Sequence, residues 1–431
     1  MKYLAQIWNS KGLRNKILFS IFGILVFRFV GQISIPNADL AAIQGIFQKN
    51  ALLGAFNILT GGSAEHFSIL LMGLSPYINA SIIVQLLTVI SPRLEALSKE
   101  GEQGQKKLSQ YTRWLTVPLA LLQSYGMIAL LNRGSSTPIV PNIDQASVIL
   151  PIMLTVTAGT VFLMWIGELM TEKGIGNGIS LLIFAGIITA IPQTIAQNLF
   201  IAQQDTGKIV GFGVTILITI ALAVFVILVT EAQRKIPITY AGRGVRMNGG
   251  DPASLPIRIN QAGMIPIIFA VSVTSFPGLI AQFLVNAKSE WLRTAAGFVQ
   301  THFTVDSLAY ILVYGFMIMF FTFFYVSITF NPEKVAENIQ KNGGYIPGIR
   351  PGTQTVEYIK NVSNRLNLWG GLFIGFVALL PILLSSFMSS DIGSLPLLLG
   401  GAGMIIVVGV VLEIIRQINA QLIMHDYQKF Y

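Results

Sequence analysis

Groups able to do chemistry are few and scattered in this chain. His66, His302 and His425 are its three imidazoles, and it has no cysteine. No two histidines stand at the i, i+4 spacing of a zinc-binding helix, and disulfides, thiolate metal sites and cysteine nucleophiles are excluded. The phosphate-cradling pattern G-x-x-x-x-G-K-[ST] is absent, so any work done by the chain draws on a partner or a gradient. Gly174-Ile175-Gly176-Asn177-Gly178 has the glycine spacing of a dinucleotide loop but lacks the strands around it, and reads as a tight turn into a helix. Ionisable residues inside apolar stretches mark ion or substrate routes. Here there are only Arg28, alone in its stretch, and Glu168 and Glu413 near stretch ends. An ion-coupled transporter needs carboxylates or unwound carbonyl sites near the midplane, and intramembrane catalysis needs a Ser/His or Asp pair. Neither is visible. The Ile, Leu, Ser, Thr, Asn and Gly that remain suit a passive conduit closed by an apolar constriction.

The elements that would position such a conduit are long and apolar. Of 431 residues 53% are hydrophobic and only 11% charged, with a net charge of +9, whereas globular chains carry about 25% Asp, Glu, Lys and Arg. The natural solvent is lipid. Ten runs are long enough to span hydrocarbon: Ile17 to Ile35, Phe67 to Ile90, Trp114 to Leu131, Val148 to Met170, Ile179 to Ile195, Ile209 to Thr230, Ala262 to Val285, Leu308 to Ile328, Leu368 to Phe387 and Leu395 to Ile415. The first is too long for a signal peptide, is interrupted by Arg28 and precedes no clear A-x-A site, so it reads as a retained helix. An even number of spans places both termini on one side. With the N-terminus in the cytoplasm, 22 Lys and Arg fall inside and five outside, the asymmetry expected of a cytoplasmic membrane protein in that orientation.

Two inner loops are long, roughly residues 231 to 261 and 329 to 367. In the first, Lys235 to Tyr240 and Leu255 to Ile259 alternate around a tip carrying Arg243 and Arg246, which predicts a β-hairpin. The second opens at Asn331-Pro332, runs as an amphipathic helix to Asn342, turns at Ile346 to Gly352 and resumes as helix toward Arg365. The positive-inside rule accounts for such basic residues by itself; a sharper reading is docking of an acidic partner or ribosomal RNA.

Gly73-Leu74-Ser75-Pro76 and Gly263-Met264-Ile265-Pro266 repeat one spacing in the second and seventh runs. Paired interruptions are a trace of an inverted repeat with its working site between halves, although chance also produces Gly-x-x-Pro. The halves would be residues 1–200 and 201–431. Ahead of the second run, Phe56, Asn57, Ile58, Leu59, Thr60, Gly61, Gly62, Ser63, Ala64, Glu65 and His66 are semi-apolar, glycine-broken and too short to span. They form either an outer amphipathic loop or a re-entrant segment, and the latter implies a cavity.

At Pro76 to Ile83, Gln110 to Arg113, Gly174 to Ser180, Gly263 to Pro266 and Gly348 to Gly352 the chain resembles the SecY family, the large subunits of bacterial protein-conducting channels, over its whole length and with the motifs in order. The family often has Ser where Asn79 stands, which keeps the local polarity. The resemblance implies an all-α polytopic membrane protein, with ten transmembrane helices in two inverted five-helix halves forming an hourglass channel that opens sideways to lipid. It implies SecE and SecG as partner subunits, the ATPase SecA or a ribosome as motor, unfolded preproteins with signal peptides as cargo, and no cofactor. By local motif the pore ring would be Leu74, Ile78, Ile183, Ile187, Ile268 and Ile406, and the first two pairs, being i, i+4, each face one way. Phe56 to Glu65 would be the plug. Arg350 would dock the motor, alongside Arg243 and Arg246. The sideways gate would run past Asn79, three residues after Pro76, and Phe276, ten after Pro266. A small-solute secondary transporter is the other reading, and predicts midplane charges and short loops.

Overall fold

The structure, a computed structural model, describes residues 7–8, 10–36, 43, 45, 57, 60–134, 138–141, 143, 145–204, 206–240, 254–284, 289–303, 307–388 and 400–429. Each of the ten apolar runs contains a helix. In chain order these helices are α1 Lys11–Gly31, α2 Ser75–Ile90, a short α3 Pro92–Lys99, α4 Glu102–Gly134, α5 Ala146–Lys173, α6 Gly178–Gln204 and α7 Thr206–Glu231. After strands β1 Gln233–Pro237, β2 Thr239–Tyr240 and β3 Ser254–Arg258 come α8 Ile265–Leu284, α9 Glu290–His302, α10 Leu308–Thr329 and α11 Pro332–Lys341, then β4 Gly344–Tyr345, α12 Thr353–Met388 and α13 Gly401–Lys429. Among the described residues seven helices are long and apolar enough to cross a membrane, or eight with α2 and α3 as one span bent by 103°. α1, with Lys11, Arg14, Lys16 and Arg28, and α8, apolar over the shorter stretch Ile265–Thr274, stand outside that set.

Several helices outrun the apolar runs. α4 begins at Glu102 and α12 at Thr353, because the polar stretches before the runs are rich in helix formers and contain no proline, Gly104 being tolerated. The opposite happens in the second run, where residues 60–74 are a series of turns and helix starts only at Ser75. Phe67 (φ 45°) and Gly73 (φ 53°) both occupy the left-handed region, which stops a helix from propagating. Gly263 (φ 68°) does the same before α8. The two Gly-x-x-Pro motifs are therefore not interruptions within helices. Each places a left-handed glycine outside a helix and a proline in its first turn, where the missing N–H costs nothing.

The described chain divides into two compact units. The first comprises Met1–Phe212, Val271–Tyr310 and Val410–Tyr431. Within it α1 packs on α5 and α6, α2 on α4 and α5, and α5 on α4 and α6. The turn at Gly174 to Gly178 is tied on three sides: Ile175 N donates to Ser20 Oγ (3.0 Å), Gly176 N to Gln417 Oε1 (2.7 Å) and Gly178 N to Thr171 Oγ1 (2.9 Å). Asn177 Oδ1 then accepts from Ile179 N and caps α6.

The second unit comprises Gly213–Ala270 and Ile311–Gly409. The expected hairpin is present as an antiparallel pairing of β1 with β3, Lys235 opposite Pro256. A second pairing joins β2 to β4, Thr239 opposite Tyr345, so the two long loops are one structure. Ile236, Ile238 and Ile257 from the first loop share a core with Ala336, Ile339, Ile346 and Ile359 from the second.

Candidate functional site

The turns at 60–74 are deeply buried. Thr60, Ser63, Ala64, Phe67, Ser68, Leu70 and Leu71 expose 2% or less of their surface. Irregular backbone survives in such a place only if its polar groups are paired. Ile35 N donates to Phe67 O (2.9 Å), Ile69 N to Ile33 O (3.0 Å) and Ser68 N to Ser63 O (3.1 Å), so the chain just after α1 serves as a short edge for the segment. Asn57 closes it from the other end. Its Nδ2 donates to Glu65 Oε2 (3.0 Å), its Oδ1 accepts from Glu65 N (3.0 Å), and its carbonyl accepts from Gly62 N (2.9 Å) and from Thr60 Oγ1 (3.1 Å). Of the expected plug residues, Phe56, Ile58 and Leu59 lie outside the described residues.

Close packing places this segment beside the expected ring positions of the first unit. A Cβ on Gly61 would lie 2.9 Å from Gly186 Cα on α6, the residue before Ile187, and one on Gly73, next to Leu74, would lie 3.2 Å from Thr60 Cγ2. Leu74 is the residue before α2, and its carbonyl accepts from Ile78 N (3.0 Å), so these two side chains sit one helical turn apart. Ile183 and Ile187, 3% and 1% exposed, repeat that spacing on α6. In the second unit Ile268 lies in the first turn of α8, and Ile406 lies on α13, three residues before Gly409, where a Cβ would stand 3.5 Å from Met264 Cβ. Both isoleucines are buried; Ile78 is half-buried.

Arg28 is not alone. Its Nη1 donates to Gly61 O at 2.7 Å. Arg28 lies in the last turn of α1, where a charge among apolar residues is costly, and a charge-assisted bond to a backbone carbonyl offsets part of that cost. Arg113 Nε and Glu168 Oε1 form an ion pair at 2.7 Å. Asn79 is buried, and its Oδ1 has no hydrogen-bond partner among the described residues. Phe276 belongs to α8, and Arg243 and Arg246 lie outside the described residues. Arg350 is exposed between Gly348 (φ 81°) and Gly352 (φ 105°), and its carbonyl accepts from Thr355 Oγ1 (3.0 Å), which fixes the loop at the start of α12.

Sequence reasoning missed the Arg28 contact, the Asn57 clasp and the shared core of the two loops. Signals existed for the last two: Asn57 and Glu65 are polar residues in an apolar context, and Ala336 and Ile339 line one face of a short helix. Nothing in the sequence couples Arg28 to a residue 33 positions away.

This is the fold of a protein-conducting channel. A solved structure described as that of a protein conducting channel superposes with a TM-score of 0.69 at 18% identity, covering 94% of this chain and 92% of that one. Sec61 in the canine ribosome-channel complex from the endoplasmic reticulum gives 0.64 at 18% identity over 94% and 92%. The family model of SecY matches residues 68–415. The protein translocase subunit SecY of Streptomyces scabiei is 41% identical over 442 residues, 99% of this chain and 98% of that protein. The chain belongs to the SecY family. These relatives lend no support to small-solute transport.

Proposed function

We propose that this chain is the channel subunit of a Sec translocon, which passes unfolded secretory polypeptides across the cytoplasmic membrane and releases apolar segments sideways into lipid. The observation that carries this reading is the buried, non-helical segment packed between the start of α2 and Gly186 of α6. In this reading it is a plug beside Leu74, Ile78, Ile183 and Ile187, and Ile268 and Ile406 are assigned to the same constriction by their local motifs. With α1 and α8 added to the eight candidate spans, ten crossings in halves 1–200 and 201–431 put both termini and the two joined loops in the cytoplasm. The excess of Lys and Arg in those inner segments supports this orientation. Arg350, with Arg243 and Arg246, offers basic docking points to SecA or to ribosomal RNA; SecE and SecG complete the complex. That the similar Sec61 structure is described in a ribosome complex supports the ribosome as one of these partners.

The test is conductance in reconstituted bilayers. Replacing Ile78, Ile187 and Ile406 together by serine removes the apolar collar that keeps water and ions out by dewetting, and the resting complex then leaks ions. Deleting Asn57 to Glu65 adds to the leak. A triple variant as tight as the parent chain contradicts the assignment of the ring.

A further inference from the structure

α1 presents three consecutive features to the buried segment. Phe27, 4% exposed, has its ring edge 3.1 Å from where a Cβ on Gly61 would stand. Gly31, one turn on, leaves space for Ser63, whose Oγ would lie 3.0 Å from a Cβ there. Between them Arg28 Nη1 donates to Gly61 O at 2.7 Å. Gly61 can offer its carbonyl there because it adopts φ 69° and has no side chain to strike Gly186. Among the described residues, the segment's other hydrogen bonds to the chain outside residues 57–78 run from Ile35 N to Phe67 O and from Ile69 N to Ile33 O, at its far end. Around Gly61 the segment's own bonds are internal, all made by Asn57. Among the described residues, the tip is thus held to the helices by packing and by the Arg28 guanidinium.

We propose that Arg28 is the positioning residue that latches the tip of this segment in the closed channel. The guanidinium is half-buried, so it exchanges the Gly61 carbonyl for water when the segment withdraws, which makes the latch reversible. Removing the donor leaves the Gly61 carbonyl unpaired in a packed place and weakens the seat of the tip without touching residues 67–74 or the start of α2. Lysine keeps the charge and a donor but loses the planar fork, so it restores part of the hold.

The proposal rests on reading the segment as a plug, and two readouts separate the latch from that reading. Because the chain has no cysteine, Ser63→Cys, 2% exposed, reports on withdrawal through its maleimide labelling rate in membranes holding the assembled complex. Ser124→Cys on α4, 0% exposed, is the reference for general loosening. Arg28→Met is expected to speed labelling at position 63 at least about tenfold, equivalent to roughly 1.4 kcal/mol, with position 124 still protected, and Arg28→Lys is expected to fall between. Resting ion conductance should rise in the same order. Faster labelling with unchanged conductance supports the latch and contradicts the plug reading. If position 124 also becomes reactive in Arg28→Met, the lysine variant decides: protection regained at both positions supports the latch, and protection regained at neither overturns it. Parental labelling of position 63 in both variants overturns it as well.

Discussion

At single residues the proposed function rests on shape and polarity. Leu74, Ile183, Ile187, Ile268 and Ile406 are buried isoleucines and a leucine, and an apolar collar excludes ions only while every member stays apolar. Their residue types were readable in the sequence, but their selection from the many other Ile and Leu of the chain was not. Burial alone does not separate them from Leu70 or Leu163, both fully buried. What singles them out is the resemblance to the SecY family, carried over by local motif. Arg350 stands in a turn-rich Gly-x-x-Pro-Gly run and is exposed in the structure. Reversing its charge with Arg350→Glu removes no packing, so subunit assembly should be normal. Motor-driven export should fall about tenfold or more, as expected when like charges are brought together at a docking surface. Normal motor affinity and normal export would reduce Arg350 to an orientation charge.

At the level of elements, the length of the apolar runs placed a helix in each of the ten but misjudged where several begin. Residues 67–74 are as apolar as the helix after them, so composition could not show that Phe67 and Gly73 sit in the left-handed region and that the stretch bonds through tight turns and to residues 33–35 in place of a helical ladder. The same blindness hid the β2–β4 pairing, which joins two-residue strands a hundred positions apart. What the sequence did carry was the matched Gly-x-x-Pro, and its geometry recurs in both places: left-handed glycine, then proline in the first helical turn. If α2 and α8 part to admit an apolar segment, a covalent bridge between them must stop it. Asn79→Cys with Phe276→Cys is expected to form a disulfide in the resting channel, which requires Cα atoms within about 7 Å. The oxidised complex should still assemble and bind its motor while export stops, and reduction should restore it. Efficient bridging with undiminished export would place the gate elsewhere. Asn79 is buried at this position, and its Oδ1 has no hydrogen-bond partner among the described residues.

For the whole molecule, the balance of composition decided the solvent, and the distribution of Lys and Arg decides the orientation. Single cysteines introduced at Gly242 and Asn342 should label only from the cytoplasmic side, and one at Ser136 only from outside; the reverse at two of the three would invert the topology. The sequence suggested halves 1–200 and 201–431, and the two compact units of the structure have their boundaries inside α7, α8, α10 and α13. Composition gives no sign of such boundaries, because each of these helices is uniform on both sides of them. The central claim is that a polypeptide passes through the chain beside α6 and α13. A photoreactive amino acid placed at Ile187, and separately at Ile406, in complexes holding a precursor stalled in transit tests it most directly. The account predicts crosslinks from both positions to the stalled precursor, and from neither to a precursor that has not engaged the motor; a stalled precursor that crosslinks to neither position would contradict it.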